Sequence, residues 1–328
     1  MLNPNIPALV LAPMEGITDA PMRAFQGASG AFTYAVSEFI RVSSDAMTSK
    51  LFQRDVPELL TGACTVTGLP VQIQILGGDP ELMAQSARAA CEGGAPGVDI
   101  NFGCPAKTVN RHDGGASLLK HPTRIRDIVR AVRDAVPIDI PVSAKLRLGW
   151  DAIDSIHENA AMAAEGGASW LTIHARTRAQ GYLPPVFWPE LAKVRESLRI
   201  PIVANGDIWN IDDFHRCRGE TGCIHYMIGR GALANPFLPR QIAQELGILS
   251  VGEIKPWDQT DWPIVLKDLD RFSSMFEGTL PIHVLLRFKQ WLKLARNHGD
   301  FRYFDAVKQA NTLPEFYDCL ATAIAIAG

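Results

Sequence analysis

A chain of 328 residues, 47% of them hydrophobic, can bury a full core and reads as one large domain with a smaller one. Its apolar stretches are strand-length, which excludes a membrane span, and a formal charge of −3 gives no sign by itself of a nucleic-acid partner. Six cysteines (Cys64, Cys91, Cys104, Cys217, Cys223, Cys319) fall without any C-x-x-C pair, which argues against a zinc site or a disulfide framework and for a reducing cytoplasm. No metal is expected. The first residues, MLNPNIPALVLAPMEG, lack a cationic start and a cleavage site and read as mature structure.

Eight short apolar or β-branched runs follow one another, each with a helix-like segment behind it. They lie at 8–13, 32–37, 70–76, 97–102, 141–147, 169–175, 200–205 and 223–228. Between them the spacing predicts helices such as 80–92, 122–135, 152–165 and 210–219. Asp79-Pro80 starts the first of these and Gly93-Gly94 ends it. Strand and helix alternating eight times within 228 residues is the pattern of an α/β chain closed into a (β/α)8 TIM barrel, with a doubly wound sheet as the rival. From residue 248 the strand-like runs stop. Residues 248–260, with Pro256 and Trp257, read as a linker, and helices near 261–276, 281–298 and 302–325 suggest a small bundle. The expected division is therefore 1–247 for the barrel and 248–328 for the helical domain.

Polar residues gather where each strand ends. Met14-Glu15-Gly16 follows the first, Glu38 and Arg41 the second, Gln74 the third, Asn101 and Cys104 the fourth. Lys145 and Arg147 end the fifth, His174 and Arg176 the sixth, Asn205-Gly206-Asp207 the seventh, and Gly229-Arg230-Gly231 the eighth. In a barrel all of them meet on one rim, where barrel active sites lie; a doubly wound sheet would not need this clustering.

Within that rim the residue types suggest separate tasks. The two glycine turns of IVANGDI and MIGRGAL, with Arg230 between glycines, suit a phosphate monoester. Lys145, alone in an apolar strand, either serves a Schiff base or sets positive charge against an electron-rich ring. Gln74 and Asn101 offer amide donors and acceptors for a flat heterocycle. His174 fits a ligand contact or a satisfied core histidine equally well. Cys104, after a strand, before Pro105 and beside the glycine-rich loop at Gly114-Gly115, is a small buried hydrophobe or a working thiol. A thiol near its ordinary pKa is mostly protonated at neutral pH and can give a proton to a carbanion. Further along, residues 281–310 hold six Lys or Arg against two acids, interleaved with Phe288, Trp291, Phe301 and Tyr303.

LAPMEGITD, SEFIR, QILGGDP, DINFGCPAKTVN, SAKLRLGW, IHARTRAQGY, VANGDI and MIGRGAL resemble, in order, the tRNA-dihydrouridine synthases. The likeness runs through HVLLRFKQWL near the C-terminus, and within the family it is nearest the bacterial C-type group that modifies uridine 16 of the tRNA D-loop. It implies an FMN-bound barrel reduced by NADPH, a helical tRNA-recognition domain and, by default, a monomer. On this resemblance Pro13, Met14 and Glu15 line the flavin, and Gln74, Lys145 and His174 contact its rings. Asn205, Gly206 and Asp207, with Gly229 and Arg230, hold its phosphate end. Hydride passes from FMN N5 to uracil C6 while Cys104 protonates C5, Asn101 faces the uracil, and the target base leaves its stack to reach the ring. Arg41, Arg176, Arg287, Lys289, Trp291 and Lys308 are the expected tRNA contacts. Lys308 stands where the group has arginine, which keeps the charge without the bidentate fork, and Phe102 and His112-Asp113 also depart from the pattern. Three rival functions use the same residues: a flavin barrel reducing or oxidising a small pyrimidine, a Schiff-base aldolase on Lys145, and a non-catalytic RNA-binding barrel.

Overall fold

The computed structural model describes residues 1–111, 113–252, 258–276 and 278–327. Its centre is a closed parallel barrel of eight strands in sequence order: β1 (Ala8–Leu11), β2 (Tyr34–Arg41), β3 (Val71–Leu76), β4 (Val98–Asn101), β5 (Val142–Arg147), β6 (Leu171–His174), β7 (Ile202–Asn205) and β8 (His225–Ile228). β8 returns to β1 with Ala8 opposite His225 and Leu11 opposite Ile228, so no strand edge is left unpaired. The doubly wound alternative is thereby excluded.

β1, β4 and β7 are four residues each and buried throughout, on both faces. One apolar cluster lies between the strands and their helices, and a smaller one, including Val10, Tyr34, Trp170 and Met227, fills the barrel. Asp79 caps the helix Pro80–Glu92 by accepting from the Leu82 amide at 2.8 Å, as its sequence signature predicts. The helix Pro122–Ala135 also keeps its predicted ends, while that expected at 152–165 begins at Ser155 and that at 210–219 runs Ile211–Thr221.

β2 departs from expectation. It continues to Arg41, past the predicted end at 37, with a shift of register between Val36 and Phe39. The polar pair Ser37-Glu38 looks like a strand end in one dimension. In three dimensions the Ser37 hydroxyl accepts from the Gln74 amide at 3.0 Å, and the Glu38 carboxylate accepts from the Ile17 amide at 3.0 Å.

After Gly247 the described residues contain helices and no strands. Residues 253–257, and with them Pro256 and Trp257 of the expected linker, lie outside the described part, as does His112. The helices Trp262–Ser273 and Pro281–His298 match expectation, but the segment 302–325 does not form one helix. It breaks into Phe304–Val307 and Leu313–Ala327. The helical core includes Met22 and Leu233 from the barrel, so it is continuous with the barrel surface. Among the described residues no helix is long and apolar enough to cross a membrane.

Candidate active site

A cavity of about 540 Å³ opens at the C-terminal mouth of the barrel, a size suited to one organic ligand. Pro13, Met14, Glu15, Gln74, Asn101, Cys104, Lys145, His174, Asn205, Gly206, Asp207, Gly229 and Arg230 all line it. The rim predicted from strand ends is thus one site. Arg41 lies beside it, in a separate recess of about 280 Å³ with Glu38, Met47 and Asp55.

The loop after β1 is fixed from within: the Met14 amide donates to the Thr18 hydroxyl at 2.7 Å, and Arg23 donates to the Thr18 carbonyl at 2.7 Å. Arg23 is itself buried against Glu58 in a two-pronged pair at 2.8 Å. At the opposite wall, Gly206 has φ +117°, and a Cβ there would stand 3.0 Å from the His174 ring. Gly231 is needed for close packing, since a Cβ would meet the Ile208 carbonyl at 2.0 Å. The helix behind Gly229 is a single turn, Arg230–Ala234. Positive charge at this end therefore comes from the Arg230 guanidinium, stacked over Tyr182 at 4.5 Å and Trp209 at 4.8 Å, and not from a long helix.

Electrostatics divide the cavity. Burial, helped by Arg147, lowers the pKa of Lys145 to about 8, against a smaller upward pull from Asp99 and Cys104. It is still an ammonium at neutral pH. Burial and the cations Arg147, Lys145, Arg176 and Arg230 push His174 well below its ordinary value, so its ring is neutral. Its Nδ1 is buried without a hydrogen-bond partner. Burial raises the Cys104 thiol, opposed by the Ala106 amide, and Glu15 raises it further. That keeps the sulfur protonated, which suits an acid and not a nucleophile.

These features fit a flavin mononucleotide. The cavity holds a cation for an electron-rich ring, an orphan nitrogen on His174 for a ring heteroatom, and an arginine at the glycine turns for a phosphate. As pH rises through about 8 the Lys145 charge is lost, so affinity for an anionic ligand is expected to fall there. Titrating flavin reduced without oxygen, whose ring carries negative charge above neutral pH, into the apoprotein between about pH 6.5 and about pH 9.5 checks this, and a flat profile would deny the lysine its role.

Two of the expected tRNA contacts, Arg176 and Trp291, are corrected by their burial, and a third, Arg287, is engaged within the protein. Arg176 is buried and paired with Asp207, one nitrogen donating at 2.8 Å, and its Nε donates to the Leu183 carbonyl. This buried side chain braces Asp207, which lines the cavity. Trp291 is fully buried, its indole N–H donating to the Leu233 carbonyl at 2.8 Å and its ring against Phe25 and Trp262. Arg287 donates from Nε to Asp19 at 3.0 Å and from Nη1 to the Ser273 hydroxyl at 3.0 Å, tying the helical part to the barrel. An arginine or tryptophan among lysines on a helix looks like an RNA contact until the helix is packed. Arg287→Ala is therefore expected to lower the melting temperature and leave the salt dependence of tRNA binding unchanged; a flatter salt dependence would return it to the RNA face.

Lys289 and Lys293 have no carboxylate partner among the described residues, whereas Lys308 and Arg296 share Asp305 on the surface. Asn101 is buried and already bonded at both ends of its amide. Sequence reasoning misses Tyr182 and Trp209, which sandwich Arg230, and Leu294, which reaches the cavity from the helix Pro281–His298. Trp209 follows the NGDI turn directly and is open to notice there; Leu294 carries no signal.

A family model described as Dihydrouridine synthase (Dus) matches residues 10–324. The chain belongs to the dihydrouridine synthase family. It is 42% identical over 316 residues to a tRNA-dihydrouridine(16) synthase of Pseudomonas syringae pv. tomato, covering 95% of each. It is 50% identical over 230 residues to a protein of that name from Shewanella oneidensis, covering 70% of this chain and 73% of the relative. Among solved structures, histamine dehydrogenase from Rhizobium sp. 4-9 matches with a TM-score of 0.56 at 14% identity, over 83% of this chain and 50% of that one, a likeness of fold. Membership in the family makes the chain an oxidoreductase, and the aldolase and non-catalytic readings fall away.

Proposed function

We propose that this dihydrouridine synthase reduces the 5,6 double bond of uridine 16 in the tRNA D-loop, with FMN in the barrel mouth and NADPH as its reductant. The observation that carries the reading is one cavity that brings the Cys104 thiol, the Lys145 amine and an unpartnered buried nitrogen of His174 together with Arg230 at the glycine turns. The relatives' shared name supports tRNA, and position 16, as the target.

FMN, bound and reduced, would supply hydride chemistry here. The chain does the rest. Lys145 would offset negative charge on the ring, and Arg230, paired with Asp207 at 3.3 Å, would hold the phosphate end. The uracil double bond is conjugated with the C4 carbonyl, so hydride goes to C6 and C5 needs a proton. Cys104 holds that proton on Sγ at the cavity wall and gives it to C5. The walls formed by Tyr182, Trp209 and Leu294 narrow the site around a flat base withdrawn from its stack.

We assign tRNA recognition to the helical segment 248–328, with Lys289 and Lys293 toward the phosphates and Arg41 at the rim recess. Lys289→Ala is expected to weaken tRNA binding and reduce the slope of log affinity against log salt by about one. An unchanged slope would remove that lysine from the interface. The reading as a whole is tested by incubating the FMN-loaded protein, NADPH and unmodified tRNA, then locating dihydrouridine in the product by nuclease digestion and mass spectrometry.

A further inference from the structure

The buried carboxylate of Asp99 has no part in the reaction as described. It points into the barrel, where its Oδ1 accepts from the Ser143 hydroxyl at 2.6 Å and its Oδ2 accepts from Gln74 Nε2 at 2.7 Å. The chain of bonds continues upward. Asn101 Nδ2 donates to Gln74 Oε1 at 2.8 Å, and Asn101 Oδ1 accepts from the backbone amides of Gly103 at 2.8 Å and Cys104 at 3.0 Å. Asp99, Gln74 and Asn101 are all buried.

A side-chain amide has nearly the same shape at its two ends, but one end donates and the other accepts. Turning Gln74 over would set its NH2 against that of Asn101. Turning Asn101 over would set its NH2 against two backbone N–H groups. A carboxylate has no such choice, since both its oxygens accept. Two ends that cannot be turned round fix the direction of the chain: the Asp99 carboxylate, which accepts from Gln74, and the backbone amides of Gly103 and Cys104, which donate to Asn101. The Gln74 and Asn101 amides lie between these ends, and Asp99 holds its end of the chain in the one sense that meets the start of the cysteine loop. The far side of that loop is pinned separately, Arg147 Nε donating to the Gly103 carbonyl at 2.9 Å and the Ala116 amide to the Cys104 carbonyl at 3.2 Å.

We propose that Asp99 is a positioning residue for the reaction: through Gln74 and Asn101 it sets the backbone amides on which the Cys104 thiol is carried. It touches neither substrate nor cofactor. The proposal rests on the reading of Cys104 as the acid in uridine reduction. Misplacing a reacting group by about 1 Å costs about 100-fold in rate, so a reversed or disordered amide chain is felt in turnover although the fold is intact.

The direction of the chain can be turned round by exchanging its ends. Asn101→Asp puts a carboxylate against Gln74 Oε1, where two acceptors face each other. In the double variant Asp99→Asn with Asn101→Asp the two bonds to Gln74 reverse, the other bonds keep their sense, and all are satisfied. The carboxylate now at position 101 accepts from Gly103, Cys104 and a turned Gln74. The Gln74 oxygen then accepts from the amide now at position 99, whose own oxygen accepts from Ser143. The test is the rate at which saturating tRNA reoxidises the reduced flavin in wild type, both single variants and the double, with flavin content and tRNA KM measured alongside. Asn101→Asp is expected to lose about 100-fold with tRNA KM little changed, and the double to recover at least about tenfold over it. Asp99→Asn alone still offers an oxygen to Gln74 and is expected to stay within about tenfold of wild type. A double variant as slow as the product of the singles, or an Asn101→Asp as fast as wild type, would overturn the proposal. Should Asn101→Asp fail to retain flavin, Asp99→Asn decides alone, since loss to the level of Cys104→Ala would mean that the charge and not the direction matters. If the wild type does not act on tRNA, the same cycle is read in the rate of Cys104 alkylation, so the two failures are distinct.

Discussion

Cys104→Ala is expected to lower uridine reduction by about 10²- to 10⁴-fold while flavin content and tRNA affinity stay near wild type. The loss is that range because the variant removes one proton donor and leaves binding and ring charge in place. The thiol suits the task through its surroundings. Burial raises its pKa and Glu15 adds to the rise, so the proton stays on sulfur through neutral pH, against weaker opposite pulls from Arg147 and Lys145. The backbone beneath it is held at both ends, its N–H by Asn101 and its carbonyl by the Ala116 amide. Single-turnover reoxidation of the reduced flavin by tRNA measures the step directly. Full activity in the variant would give the proton to another group.

Asp207→Asn is expected to destabilise the protein by about 3–5 kcal/mol, because it leaves the buried Arg176 guanidinium without its counter-charge. Asparagine tolerates the left-handed backbone of position 207, φ +51°, so the variant isolates charge from backbone strain. Arg230, which shares the same carboxylate, also loses its brace. Urea unfolding of the apoprotein reads the first effect and FMN affinity the second. A phosphate-bearing ligand binds the native state and restores part of the loss by mass action. An unfolding midpoint within error of wild type would show that Arg176 finds other partners, the Leu183 carbonyl first among them.

The barrel is legible in the sequence because its signal repeats. Eight strand-and-helix units follow one another in order around one barrel, so an error in one does not spoil the pattern. β2 is the strand that misleads, because Ser37 and Glu38 are polar for reasons that belong to other loops, the Gln74 amide and the Ile17 amide. The cavity is legible for a similar reason to the barrel, since strand ends in a barrel must meet. The helical part is not. Arg287 and Trp291 stand among lysines in the sequence, yet a helix of 18 residues has a buried face as well as an exposed one, and composition does not separate the two. What decides between them is the Asp19 carboxylate and the Leu233 carbonyl, which lie far away in the chain. Leu294 reaches the site by the same packing. Arg176 misleads in a different way: its position at a strand end is as expected, but a carboxylate from the next strand end neutralises it.

The most direct test of tRNA-reducing flavin chemistry is the visible spectrum of the FMN-loaded protein, reduced without oxygen and then mixed with unmodified tRNA. The oxidised flavin band should return on adding tRNA, with dihydrouridine found at position 16 of the product, and should not return with free uridine or orotate. A flavin that stays reduced with tRNA and is reoxidised by a small pyrimidine would contradict it and make this chain a small-molecule enzyme on a dihydrouridine synthase frame.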